Sequence, residues 1–353
     1  HLSIRRQRQM CIRDRYGGAG VKKLNKFLSL GLMVLFSLSI LVGCNTSKKE
    51  EAKAPEEKTS IEIVVPDGLP AISIVKMIKE KPEIIKGLDI NYSIVKGSDA
   101  LVSKVLKGEG DICIVPSNVA AIAYNKEAKY KLAGTVGFGS LYVISSDDSV
   151  NSLEDLKGKD VYNVGQGLTP DLIFKILLQN DGINPEKDLT LSYVNAASEL
   201  APLFIEGKAK YAVVPEPMLT QIMTKKPETK IVASLNEQWK KMSDSKMGYP
   251  QSSVIVKEDL AKNNSEAVQK ILKEIDNSTK WANENKEEAG AFAEEVGITG
   301  KKEIIAKSLE RANLNYVSAL DSESEYIKYY DKIYSLEPKA IAVSYTHLTL
   351  PTN

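Results

Sequence analysis

Residues 160–180 read DVYNVGQGLTPDLIFKILLQN, a pattern that passes from a short apolar strand through a glycine-containing loop into a helix. A second strand pattern, LTLSYV, follows at Leu189–Val194. A strand, a helix and a strand at this spacing predict a crossover unit, in which the two strands lie parallel in one sheet. The stretch therefore indicates a protein of the α/β class.

The same alternation continues on both sides of this stretch and predicts largely parallel sheets. Further strand runs occur at Ile61–Val65, Asp89–Val95, Asp111–Val115, Leu132–Val136, Tyr211–Val214 and Lys230–Ala233, with helical segments between them. After Ser253–Val256 the chain reads as helical almost throughout to Leu336. We therefore predict two α/β lobes and a helical C-terminal segment. The first lobe comprises residues 60–146 and 248–342, and the second comprises residues 147–247, opening on a helix that Ser152 caps.

Composition excludes several functional classes. The 353 residues are 26% charged and 43% hydrophobic, which is enough for two packed cores. Since the net charge is only +1, the chain lacks the basic excess typical of nucleic-acid binding. The histidines are His1 and His347, and the cysteines are Cys11, Cys44 and Cys113, too few for a disulfide framework or a zinc cluster. We predict no metal and no cofactor.

The N-terminal residues predict export and lipid anchoring. Residues 1–20 and 343–353 resemble translated adapter sequence, so we exclude both from fold reasoning. Residues 21–43 have the basic start and the short apolar run of a signal peptide. The following Cys44, after Gly43, resembles a bacterial lipobox cysteine, which carries a diacylglyceryl anchor. Residues 44–59 are polar and predict a flexible tether.

Several short runs between residues 60 and 340 carry a family resemblance. They are Val65–Pro70, Asp111–Asn118, Tyr130–Gly134, Ser152–Lys159, Gly165–Pro170 and Pro215–Pro217. In this order they resemble the solute-binding lipoproteins of ABC importers, in the branch that binds nitrate, sulfonates, taurine and thiamine precursors. The resemblance implies a type II periplasmic-binding-protein fold, with two interlobe crossovers near Leu141–Asp147 and Gly248–Val256.

The same resemblance implies a function. Such a protein is an extracytoplasmic monomer that captures a small organic solute in the interlobe cleft by hinge closure. It then delivers the solute to a membrane permease, which is driven by a cytoplasmic ATPase.

Candidate ligand-binding residues lie where strands end and helices begin, because small molecules bind at the carboxyl ends of strands in open α/β sheets. These junctions are also the family's motif positions. The candidates are Asp67, Gly68, Leu69, Pro70, Ser117, Asn118, Gly137, Phe138, Gln166, Gly167, Thr169, Glu216 and Tyr249. Each polar candidate has an alternative role as a turn residue or helix cap.

Two further functions compete with solute binding. One is an enzyme of the same fold, which the absence of histidine between residues 21 and 343 disfavours. The other is a surface lipoprotein with only a protein-interaction role. Beyond residue 20 the sole arginine is Arg311, which we expect in an ion pair rather than clamped on a ligand. An anionic solute would then be held mainly by backbone amides and hydroxyls, whereas Asp67 and Glu216 leave open an amine-bearing or neutral heterocyclic ligand.

Overall fold

The computed structural model of the protein describes residues 60–341, so Cys44, the signal peptide, the tether and both end segments lie outside the described residues. The strands are β1 (Ser60–Pro66), β2 (Asp89–Val95), β3 (Ile112–Pro116), β4 (Tyr130–Phe138), β5 (Leu141–Ser145), β6 (Asp160–Val164), β7 (Thr190–Val194), β8 (Tyr211–Pro215), β9 (Lys230–Ser234), β10 (Pro250–Lys257) and β11 (Leu314–Ser318).

Helices occupy most connections between these strands. They are α1 (Leu69–Ser73), α2 (Val75–Glu80), α3 (Ser98–Leu106), α4 (Ser117–Asn125), α5 (Thr169–Asn180), α6 (Ala197–Ile205), α7 (Met218–Lys225), α8 (Leu235–Ser243), α9 (Glu258–Asn263), α10 (Ser265–Glu284), α11 (Lys286–Glu295), α12 (Lys302–Ser308) and α13 (Glu323–Leu336). None of the helices within residues 60–341 is long and apolar enough to cross a membrane.

The strands form two sheets. The first sheet has the order β11-β4-β10-β3-β1-β2, and the second has the order β7-β6-β8-β5-β9. The α/β class and the type II periplasmic-binding-protein architecture predicted from the sequence are confirmed. The expectation of largely parallel sheets is wrong in part, because β10 runs antiparallel to β3 and β4, and β5 runs antiparallel to β8 and β9.

The chain passes twice between the sheets. It leaves the first sheet after β4 and enters the second at β5, through Gly139 and Ser140 alone, and it returns through residues 244–249 between α8 and β10. The sequence placed the passages near Leu141–Asp147 and Gly248–Val256, but most of each range is a strand, since Pro250–Lys257 is β10. In the structure Leu141–Ser145 is a fully buried strand of the second sheet, paired with β8 on one side and β9 on the other.

Three other local features differ from the sequence prediction. Strand β11 interrupts the predicted helical region and pairs with β4. Helix α8, which the sequence analysis did not predict, follows β9 and is capped by the Ser234 side chain. The helix expected from Ser152 is a single 3-10 turn, Glu154–Leu156, because Gly158 takes a positive φ of 73° and leads directly into β6.

One hydrophobic cluster is shared by both sheets. It joins Val115 on β3 to Val213 on β8 through the aromatic rings of Trp239, Tyr249 and Tyr329, which are buried. Two other clusters cover the outer faces of the first and second sheets. Burying large side chains such as these contributes roughly 1.5–3 kcal/mol each, so the shared cluster is a major support of the region beneath the cleft described next.

Candidate functional site

A cleft of about 160 Å³ lies where strands of both sheets end and helices begin. From the first sheet it is lined by the loops Pro66–Pro70 and Val95–Ser98, and by Pro116, Gln251 and Ser252. From the second sheet it is lined by Leu141, Val164, Pro170, Asn195–Ser198 and Pro215–Met218. Carboxyl ends of strands thus converge from two sheets on one small space, the position where open α/β sheets bind ligands.

The loop after β1 contributes Asp67, Gly68, Leu69 and Pro70, all four of which line the cleft. The Asp67 Oδ1 accepts hydrogen bonds from the backbone N–H of Gly68 at 3.0 Å and of Thr299 at 2.9 Å. Gly68 has a φ of 99°, and the space where a Cβ would stand is open. No side chain of its own therefore covers the Gly68 backbone. Asp67 therefore shapes the loop, while Gly68 leaves room for a ligand.

Glu216 lines the cleft from the second sheet, but its carboxylate already has partners. Its Oε1 accepts from Arg311 Nε at 2.9 Å and from the Thr220 hydroxyl at 3.0 Å, and its Oε2 accepts from the Thr220 N–H at 3.0 Å. Burial raises the pKa of Glu216, and the nearby Arg311 only partly offsets that rise. The structure thus shows Arg311 in an ion pair, as the sequence predicted.

Three charged residues line the cleft in the described part of the chain: Asp67, Lys96 and Glu216. Lys96, at the end of β2, is exposed. Helices α6 and α7 begin at the cleft. Helix α6 has no side-chain cap, whereas the Glu216 carboxylate accepts from the Thr220 N–H in the first turn of α7. The first N–H groups of a helix lack intrahelical partners and favour an anion. Backbone donors and one lysine are therefore available to a ligand.

Ser117, Asn118 and Thr169 are fully buried and do not line this cleft. The Ser117 Oγ accepts from Ser253 Oγ at 2.7 Å, and Thr169 Oγ1 shares a 2.7 Å hydrogen bond with the hydroxyl of Tyr329. Asn118 Nδ2 donates to the carbonyl of Gly167 at 3.0 Å and to that of Ala340 at 3.2 Å. These residues link α4 and α5 to the C-terminal part beneath the cleft.

Gln166 and Gly167 line a separate cavity of about 510 Å³ between α4, α5 and the end of α13. Both are exposed. The Gly167 N–H donates to Asp171 Oδ2 at 2.8 Å, which fixes the loop before α5.

Gly137, Phe138 and Tyr249 are buried and do not line the cleft. Gly137 lies on β4 opposite Leu314, and Phe138 ends that strand. The ring of Tyr249 packs edge-on against Trp239, with centroids 5.8 Å apart. The structure therefore brings Asp67–Pro70 and Glu216 to the cleft, and it places the other candidates behind it or at the second cavity.

Sequence reasoning missed the loops Lys96–Ser98 and Asn195–Ser198, and also Leu141, Met218, Gln251 and Thr299. The two loops follow β2 and β7, strands that the sequence did predict. Small molecules bind at the carboxyl ends of strands in open α/β sheets. Applying this rule to every predicted strand, and not only to the motif positions, would have selected both loops.

No group of three or more His, Cys, Asp or Glu side chains suited to a metal ion occurs within residues 60–341. Fold and cleft together define the class: an α/β protein of the type II periplasmic-binding-protein architecture, with one small-molecule cleft formed by loops of two sheets.

Comparison with known proteins agrees with this class. A family model described as the periplasmic substrate-binding protein of a phosphonate ABC transporter matches residues 77–308. The chain belongs to this family. The resemblance found in the sequence is thus confirmed, and members and structural relatives are substrate-binding transport components, not enzymes.

Individual relatives extend over most of the chain. An ABC transporter structure from Parabacteroides distasonis is 26% identical, with a TM-score of 0.69, and the match covers 84% of this chain and 100% of that one. The alkanesulfonate-binding protein SsuA of Xanthomonas axonopodis pv. citri, bound to MOPS, is 14% identical, with a TM-score of 0.63 and coverage of 83% and 97%. YtlA of Bacillus subtilis (strain 168), described as a candidate binding protein, is 24% identical over 82% of this chain and 84% of its own length.

Proposed function

We propose that this substrate-binding component of an ABC importer holds its solute in the cleft between the two sheets, and that the two lobes close around the solute by a hinge. The observation that carries the proposal is the lining of a single cleft by loops of both sheets. The two connections between the sheets, Gly139–Ser140 and residues 244–249, are short and adjacent to the cleft floor, which suits a hinge.

We further propose a small organic anion as the solute. A volume of about 160 Å³ is below that of pockets for drug-sized ligands, and the walls are largely proline and aliphatic side chains. Asp67 and Glu216 have their carboxylates bonded to protein groups, whereas Lys96 and the uncapped start of α6 remain for an anion. The relatives' names, which mention phosphonate and alkanesulfonate, support the same chemistry.

Asp67–Pro70 and Glu216 are, in this proposal, the ligand-proximal members of the candidate set. Ser117, Asn118 and Thr169 act behind the cleft, by holding the starts of α4 and α5. An exposed helix terminus contributes only about 0.3–1 kcal/mol to holding an anion, so several weak contacts must add together.

Anchoring through Cys44 is proposed from the sequence alone. The support is the order of basic residues, apolar run, Gly43 and Cys44, followed by a polar tether. A monomer, tethered outside the cytoplasmic membrane, would present the loaded cleft to the permease. Metabolic labelling with palmitate tests the anchor: wild-type chain should incorporate the label, and a Cys44→Ser variant should not. Equal labelling of both would contradict it.

Thermal shift against a panel of small phosphonates, sulfonates, carboxylates and neutral solutes tests the binding proposal. A solute at 100 times its Kd stabilises the native state by about 2.7 kcal/mol. We expect one or more anions to raise Tm, and to be recovered chemically unchanged.

A cleft-filling variant locates the site in the same assay. Ala197 lines the cleft at the start of α6, so Ala197→Trp should abolish the shift. Ala291 is partly exposed on α11, away from the cleft, so Ala291→Trp should retain it. An undiminished shift in Ala197→Trp, or chemical conversion of the solute, would contradict the proposal.

A further inference from the structure

The loop after β7 contacts the start of α3 across the mouth of the cleft. The backbone carbonyl of Asn195 accepts from the Ser98 N–H at 3.1 Å, and Asn195 Oδ1 accepts from the Asp99 N–H at 3.4 Å. Asn195 belongs to the second sheet, whereas α3 packs with the first. Both Asn195 and Ser98 line the cleft.

Helix α3 needs an outside acceptor at its first turn. Its N-cap residue is Gly97, with a φ of 93°, which has no side chain to accept from the first N–H groups. Asparagine is among the residues that cap helices best. Here the asparagine comes from the opposite sheet, and a Cβ on Gly97 would lie 3.3 Å from Asn195 Nδ2. The absence of a local cap therefore makes room for Asn195.

These two hydrogen bonds join the two edges of the cleft. When the edges separate, the Ser98 and Asp99 N–H groups return to water, so the bonds favour the closed form. They also occupy the first donors of α3, which leaves the start of α6 to receive an anion. Asn195 thus stabilises the closed cleft, and it also restricts the backbone donors that an anionic solute can reach.

We propose that Asn195 is a positioning residue for solute retention, which caps α3 from the opposite edge and thereby stabilises the closed cleft. This inference rests on the proposed hinge and solute cleft. The Asn195 side chain acts on closure through α3, without bonding the solute.

The two bonds allow a test that needs no solute. Replacing Asn195 by alanine removes the acceptor of the Asp99 N–H, but leaves the backbone carbonyl that accepts from Ser98. A local capping role would expose the Asp99 amide alone. The proposed role in closure would also expose the Ser98 amide, because the carbonyl moves away as the cleft opens more often.

The experiment is residue-resolved amide hydrogen exchange by NMR on the ligand-free chain. In Asn195→Ala, both Ser98 and Asp99 should exchange about three- to tenfold faster than in wild type. Asn195→Asp keeps an oxygen acceptor and should restore both rates to within about twofold. Asn184→Ala is the matched control, since exposed Asn184 Oδ1 accepts from Glu186 N–H within its own loop at 2.9 Å.

Faster exchange of Asp99 alone, or unchanged rates at both amides, would overturn the proposal. So would equal acceleration at both amides in Asn184→Ala. Because no solute is added, a failure here is distinct from a failure to find a bound anion in the thermal-shift panel.

Discussion

The ion pair between Arg311 and Glu216 permits a quantitative prediction for Arg311→Met. The Glu216 carboxylate is fully buried, while the Arg311 side chain is 33% exposed. Removing one partner of a fully buried pair costs about 3–5 kcal/mol. The guanidinium is partly hydrated, and Thr220 still donates to the carboxylate in the variant. We therefore expect Arg311→Met to lower the free energy of unfolding by about 2–3 kcal/mol.

The loss should depend on pH in a defined direction. Burial raises the pKa of Glu216 above its unfolded value, and removal of Arg311 raises it further. The folded variant therefore gains a proton more readily than the unfolded chain as pH falls, which stabilises the fold. The deficit relative to wild type should be largest at pH 8 and smaller at pH 5.

Urea unfolding followed by circular dichroism at pH 8 and pH 5 measures both effects. Glu216→Gln combined with Arg311→Met should recover much of the loss at pH 8, because no buried charge is left unpaired. Lys280→Met is the control: its exposed pair with Asp276 should change stability by less than about 0.5 kcal/mol. An Arg311→Met deficit that is absent, or equal at both pH values, would refute the reasoning.

Three further predictions concern the surroundings of the cleft. Gly248→Ala should lower the free energy of unfolding in urea by about 2–4 kcal/mol, because the new Cβ would stand 1.9 Å from buried Asn236 Oδ1 at a φ of 103°. The control Gly182→Ala, with open space at a φ of 72°, should lower it by only about 1 kcal/mol. Thr169→Val should lower the free energy of unfolding by about 1–3 kcal/mol, because it removes the hydrogen bonds that the buried Thr169 hydroxyl makes with Tyr329 and Asn118. Thr224→Val at an exposed site should lower it by under about 0.5 kcal/mol, and equal losses would contradict the buried bonds. Burial raises the pKa of the Cys113 thiol to about 12. In a chain that carries Cys11→Ser and Cys44→Ser, a disulfide reagent at pH 8 should therefore label Cys113 only after unfolding. Rapid labelling of the native chain would disprove the burial of Cys113.

The strands of the fold were predictable because their apolar runs are short and bounded by turn residues. Asp89–Val95 has the same limits in the sequence analysis and in the structure, and the strand expected at the start of residues 160–180 is β6. Strand β11 escaped prediction because Asn315 and Ser318 break its apolar run, and its pairing with distant β4 is what holds it extended. Only tertiary pairing distinguishes this segment from its helical neighbours.

The site was predictable in part. Asp67–Pro70 and Glu216 reach the cleft because each follows a strand whose end faces the other sheet. Thr169 also follows a strand, but its hydroxyl is hydrogen-bonded to the buried hydroxyl of Tyr329, 160 residues later in the chain. The predicted strand before Asn195 could have placed this residue at the cleft, but nothing in the sequence pairs it with α3, since that helix lies on the other sheet. Which strand end holds a ligand depends on contacts between sheets, which no local pattern encodes.

Native mass spectrometry of the chain with small phosphonates and sulfonates tests the central claim most directly. We predict that wild-type chain retains one molecule of at least one anion, with unchanged mass after denaturation, and that Ala197→Trp retains none. Retention at the same level in Ala197→Trp, or release of the molecule in an altered form, would contradict an account of capture in the cleft without conversion.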